Sequence, residues 1–154
     1  MQIMKWMLMP LRRYAEFSGR SRRKEYWMYI LFLIIVAIVI AIVEALLGLN
    51  NMMGDNGPIS AIFSLATLIP SLAVAVRRLH DTERSGWWIL LPVLPYAIVI
   101  VGIVTMSNAA MAVGGFAAFA SVVTLLVFMC LEGTNGPNRF GPNPKGADHA
   151  EVFA

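Results

Sequence analysis

Charge is scarce in this sequence. Of its 154 residues, 14% are charged and 58% are hydrophobic, which leaves too little polar surface to cover a soluble domain of this length. Cysteine is nearly absent. The single Cys130 excludes a disulfide within the chain and a thiolate metal centre, and inside an apolar run it reads as a small packing residue. Histidine is almost as rare: His80 and His149 do not stand at metal-ligand spacing, and no serine or cysteine nucleophile motif accompanies them. No metal and no cofactor is expected.

The apolar residues fall into four runs, 26–49, 59–76, 86–106 and 111–131. Each approaches or exceeds the ~18 apolar residues that mark a membrane-spanning helix, and ~20 residues at about 1.5 Å each cross a hydrocarbon core. Burial inside a large soluble protein fails as an alternative, because no polar remainder is large enough to cover four such helices. The expected fold is an all-α integral membrane protein. A four-transmembrane-helix bundle over 26–132 is preceded by a basic amphipathic interfacial segment, 1–25, and followed by a Gly/Asn/Pro-rich tail, 133–154. The first run is too long for the apolar core of a signal peptide and no small-residue cleavage site follows it, so it reads as an uncleaved anchor.

Along the chain, Ile3, Met7, Leu11, Tyr14 and Phe17 recur near one helical face, with Lys5, Arg12 and Arg13 off it, as in a helix lying in the headgroup plane. Pro10 interrupts that pattern. Ser21 is a candidate N-cap for the first span, and Tyr26 and Trp27 fit the headgroup level. The first span carries a small-residue stripe, Ala37, Ala41, Ala45 and Gly48, beside Glu44. Asn50 to Pro58 reads as a turn-rich loop. In the second span Ser60, Ser64, Thr67 and Ser71 form a hydroxyl stripe expected to pack against other helices. Pro70 leaves the Ala66 carbonyl without its helical donor, so a nearby hydroxyl or a neighbouring helix has to supply one. Ser85 caps the third span, Trp87 and Trp88 anchor it, and Pro92 and Pro95 bend it. A short link near Ser107-Asn108 makes the third and fourth spans antiparallel neighbours, and Gly114, Ala118 and Ser121 suit close backbone approach.

The twelve basic residues are distributed unevenly. Seven precede the first span, three lie between the second and third, and two follow the fourth. With four spans all twelve fall on one side, which the positive-inside rule makes cytoplasmic together with both termini.

Three motifs carry a resemblance. Gly19-Arg20, Arg23 and the pair Tyr26-Trp27 open the first span; Arg77-Arg78-Leu79-His80-Asp81 with Ser85-Gly86-Trp87-Trp88 joins the second and third; Asn138, Gly141, Pro142 and Pro144 close the chain. In this order they resemble domain of unknown function family 805, small bacterial inner-membrane proteins. The likeness covers nearly the whole chain. It implies a helical protein of the bacterial inner membrane and supplies no catalytic residues. The family's small pair after the aspartate reads here as Thr82-Glu83, with Arg84 adding a charge.

Threading brings 19–27, 77–88 and 133–144 to the same end of the bundle. Arg20, Arg22, Arg23, Arg77, Arg78, His80 and Asn138 are the candidates for holding an anion or lipid headgroup there, with Asp81 ion-paired to an arginine and Phe140 packed on Trp87 or Trp88. The blander reading of Arg77 and Arg78 is that they fix topology at the membrane boundary. His80 and Asp81, as sequence neighbours, do not face each other as a dyad, so a structural role for His80 is expected. Glu44 either reaches the outer interface or serves as an intramembrane carboxylate on an ion path.

The function expected is non-enzymatic binding or scaffolding on a basic cytoplasmic surface, with anionic phospholipid, a small anion, a membrane protein or a second copy of the chain as partner. A small oligomeric transporter or channel using Glu44 and the hydroxyl stripe is the alternative. A membrane enzyme acting on a lipid-linked substrate is a third reading. Nucleic acid is not expected, because the basic residues flank membrane spans.

Overall fold

The computed structural model describes residues 2–49 and 57–146. Residues 50–56 of the loop expected from Asn50 to Pro58, and His149, lie outside the described residues. The described residues form α1 (Gln2–Arg12), α2 (Arg23–Leu46), α3 (Pro58–Asp81), a 3-10 helix (Gly86–Leu90), α4 (Val93–Val104) and α5 (Asn108–Cys130). Four spans, Arg23–Leu46, Pro58–Asp81, Gly86–Val104 and Asn108–Cys130, are long and apolar enough to cross a membrane.

The helices differ from the apolar runs at their charged ends. Helix α2 starts at Arg23, taking Arg23, Lys24 and Glu25 into its first turn, and α3 runs on to Asp81. Arg77, Arg78 and Asp81 therefore stand on the last turns of a helix, not in a loop, and residues three apart such as Arg78 and Asp81 share a face. Ser21 is not the N-cap of α2. Its backbone N–H donates to the Arg77 carbonyl at 3.0 Å, which ties the segment before α2 to α3, and the cap position falls on Arg22. Ser85 does cap, accepting from Trp87 N, and the third span breaks between its 3-10 turn and α4 beside Pro92.

The closest-packed pair is α4 with α5. A Cβ on Gly114 would stand 2.8 Å from Val99 N and one on Gly102 2.7 Å from Met111 N, so both glycines permit the approach. Gly114, Ala118 and Ser121 are buried on that face of α5. In α3 the buried residues are concentrated from Pro70 to Asp81. From Pro58 to Ile69 no residue of α3 is buried, which corrects the expectation for part of the hydroxyl stripe. Ser64 is exposed, and Ser60, Thr67 and Ser71 direct their hydroxyls to Gly57, Phe63 and Thr67 carbonyls of their own helix. Hydroxyls satisfied within the helix need no neighbour, although Ser71 also meets the Tyr29 hydroxyl of α2 at 3.4 Å, as expected of the stripe. Cys130, at the last turn of α5, is exposed and not a packing residue. The stripe Ala37, Ala41, Ala45 and Gly48 is exposed as well.

Glu44 is buried and its carboxylate caps the start of α3, accepting from Ile59 N at 2.7 Å and Ser60 N at 3.0 Å. A helix start has unpartnered N–H groups and positive dipole, and a carboxylate answers both. The cap residue is Gly57, where a Cβ would collide with the Glu44 carboxylate.

Candidate functional site

The chemically unusual end of the bundle is built on the last turns of α3. Asp81 is buried and grips two arginines. Arg20 donates to Oδ1 at 2.9 Å and Arg78 Nη1 to Oδ2 at 2.5 Å. Arg78 is fully buried and also donates to the carbonyls of Met129, at 3.1 Å, and Leu131 at the end of α5. Arg20 gives its remaining N–H groups to the carbonyls of Gly136, at 2.7 Å, and Thr134, at 2.6 Å. Arginine's planar fork suits this, because one side chain can satisfy a carboxylate and loop carbonyls together. One carboxylate thus holds α3, α5, the segment before α2 and the chain after α5.

The chain after α5 is ordered by this contact. Thr134 N donates to the Asp81 carbonyl at 2.9 Å, and Asn138 Nδ2 donates to the His80 carbonyl at 2.9 Å. Asn138 and Gly141 exchange backbone hydrogen bonds at 3.0 Å, with Gly136 and Gly141 at positive φ making the turns. A Cβ at Gly133 would strike the Asp81 carboxylate, so the glycine admits the close approach.

His80 is held on two sides. Its Nδ1 lies 3.1 Å from the Gly19 carbonyl, and its ring stacks on Phe140 with centroids 3.9 Å apart. Phe140 thus stacks on His80 and not on a tryptophan, because Asn138 fastens the turn to α3. Trp88 meets Phe128 instead, and Trp87 is 78% exposed. Tyr26 and Trp27 are half-buried against Ala75, Leu79 and Met129.

A second buried pair lies between α2 and α3. Arg77 Nη2 stands 3.3 Å from Glu25 Oε1, with both residues buried, while Arg77 Nε and Nη1 have no partner among the described residues.

Beside the Asp81 network opens a cleft of about 400 Å³. Its walls carry Arg20 and Arg22 from the segment before α2, Arg23 and Lys24 from its first turn, Lys145 from the tail, and Asp81 as the only carboxylate among the described lining residues. The side chain of Arg22 fastens the tail by donating to the Pro144 carbonyl. Arg22 and Lys24 both lie over the Trp6 ring of α1, at 5.4 and 5.6 Å. At the mouth, Glu132 Oε1 accepts from Arg23 Nη2 at 3.2 Å and from Lys145 Nζ at 2.7 Å. Those two cations, the Lys145 hydrogen bond foremost, hold the Glu132 carboxyl below the usual carboxylate range.

Of the residues expected to hold an anion, the structure brings Arg20, Arg22 and Arg23 to this cleft. It does not bring Arg77 or Arg78, which are fully buried on carboxylates, or Asn138, which pins the tail. His80 faces a separate apolar groove with Phe17, Val76 and Trp87. Lys24 and Lys145 were missed. Lys24 is one more cation in a basic run, and Lys145 reaches the cleft only because the tail folds back.

Four apolar spans with a charge network at one end define an α-helical multi-span membrane protein. The chain belongs to the family described as Protein of unknown function (DUF805), whose profile matches residues 14–142. It is 42% identical over 142 residues to Inner membrane protein YhaI of Escherichia coli K12, covering 92% of this chain and 97% of that protein. It is 39% identical to Inner membrane protein YhaH of the same strain, covering 92% and 98%. With Uncharacterized protein YiiR of that strain it shares 28% identity, covering 92% and 89%. No solved structure matches the chain.

Proposed function

We propose that this chain is a non-enzymatic binding protein of the bacterial inner membrane, with both termini cytoplasmic, whose basic cleft holds the phosphate of an anionic lipid headgroup or of another small anion. The observation that carries the reading is the cleft itself, with five cationic residues and one carboxylate among the described residues that line its roughly 400 Å³. Guanidinium and ammonium groups suit phosphate oxygens, and the start of α2, without a capping side chain, adds partial positive charge at the same place. The orientation rests on the twelve basic residues, all on one side of four spans. Anionic lipid in the cytoplasmic leaflet attracts such a surface by up to ~1 kcal/mol per basic residue. Helix α1 suits the interface, with Ile3 and Met4 exposed and Trp6 beneath two cations.

The absence of catalysis is supported by how the two acid–base candidates are engaged. Asp81 is saturated by two arginines, and His80 is held by Gly19 and Phe140. Transport has less support, because the Glu44 carboxylate is engaged with the backbone of α3.

Thermal unfolding in nanodiscs of zwitterionic lipid, with and without anionic phospholipid, tests the reading. Anionic lipid is expected to raise the Tm, and the gain should vanish in Lys24→Gln/Lys145→Gln and in ~1 M salt, where the screening length is about 3 Å. An equal Tm in both lipids removes the reading.

A further inference from the structure

Glu132 makes an unusual contact for an exposed residue. One of its oxygens joins two cations from opposite sides of the cleft, Arg23 at the start of α2 and Lys145 in the tail. An anionic oxygen shared between a guanidinium and an ammonium is what a phosphate oxygen would make there. Glu132 is 62% exposed, so its release to water costs little. Lys24, on the same cleft, has no carboxylate partner among the described residues.

We propose that the ligand of the cleft is a phosphate monoester, which displaces the Glu132 carboxylate from between Arg23 and Lys145. This rests on the reading of the cleft as an anion site. The class follows from charge exchange. A phosphate diester carries one negative charge, so putting it in place of Glu132 exchanges like for like. Arg23, Lys145 and Lys24 together carry three positive charges against the one negative charge of Glu132, and a monoester, at about −1.5 to −2 at pH 7, offsets more of that surplus than a diester does. Arg20 is held by Asp81, which it shares with Arg78, and Arg22 is not needed for the balance. Among the described residues, the charged groups lining the cleft are Arg20, Arg22, Arg23, Lys24, Asp81 and Lys145, with Glu132 at its mouth, and none of them is a histidine.

The test is calorimetric binding to the full chain in zwitterionic detergent, with short-chain phosphatidic acid, short-chain phosphatidylglycerol and inorganic phosphate as probes. At pH 7.5 phosphatidic acid should bind about tenfold tighter than phosphatidylglycerol, one further unit charge at ion-pair distance. The preference should shrink as pH falls below the monoester's second pKa of about 6. Glu132→Gln should tighten phosphatidic acid about two- to fivefold, whereas Glu83→Gln, removing an exposed carboxylate that does not line the cleft, should leave it unchanged. Inorganic phosphate binding as tightly as phosphatidic acid supports the same dianion chemistry and assigns it to a soluble source. Equal affinity for the two lipids, or a Glu132→Gln variant that binds no tighter, overturns the inference while leaving an anion site. Binding of none of the three probes overturns the anion site itself.

Discussion

The Tyr14 hydroxyl donates to the Ala66 carbonyl at 2.6 Å. That carbonyl is the one Pro70 deprives of its helical donor, so a residue from before the first span completes the backbone of the second. Tyr14→Phe should cost about 1 kcal/mol, near the value of interhelical hydrogen bonds in lipid. Pro70→Ala restores an N–H at position 70, and in that background Tyr14→Phe should cost almost nothing. Unfolding of the four variants in detergent measures the cycle, and an equal cost in both backgrounds would sever Tyr14 from the proline.

Arg77 and Glu25 form a buried pair with poor satisfaction, one contact at 3.3 Å and two guanidinium nitrogens without described partners. Removing one member strands a charge, so Glu25→Leu should destabilise by roughly 3–5 kcal/mol. Glu25→Leu with Arg77→Leu should recover most of that loss, because apolar residues can replace a buried ion pair without penalty. Chemical denaturation compares them, and a double variant no better than the single would make the pair a source of stability.

Much of this architecture is legible in the chain. The spans follow from apolar runs, and the orphan carbonyl at Ala66 follows from Pro70 alone. Tyr14 as its donor does not follow, since 52 residues separate the two. Hydropathy stops at the charged residues, so it misses that α3 continues to Asp81 and that Arg78 and Asp81 meet on one face. Lys145 depends on turns at Gly136 and Gly141 that fold the tail onto α3, a tertiary consequence of a Gly- and Asn-rich composition. Ser64 misleads because its spacing continues a stripe, while no described residue covers it in that half of α3.

Glu44 and Gly57 make a matched pair at the start of α3. Gly57→Ala should destabilise the protein because the methyl would occupy the carboxylate's place. In a Glu44→Ala background the same change should be nearly neutral, with loss of the cap itself costing about 0.5–2 kcal/mol. Thermal unfolding of the four proteins measures the coupling, and an unchanged penalty for Gly57→Ala would show that the carboxylate is not what the glycine accommodates.

Topology has a direct check. A reporter fused after Ala154 should read as cytoplasmic, and one inserted near Asn56 as periplasmic, because the basic residues flank only one side of the spans. The reverse pattern would move the basic cleft to the periplasmic face and undo its proposed contact with the inner leaflet.

The most direct measurement of the central claim is a crystal structure grown in a lipidic mesophase doped with phosphatidic acid. Tetrahedral density is expected in the cleft, within hydrogen-bond distance of Lys24 and Lys145, with the Glu132 side chain turned away from Arg23. A cleft holding only water, with Glu132 still joining Arg23 to Lys145, would contradict it.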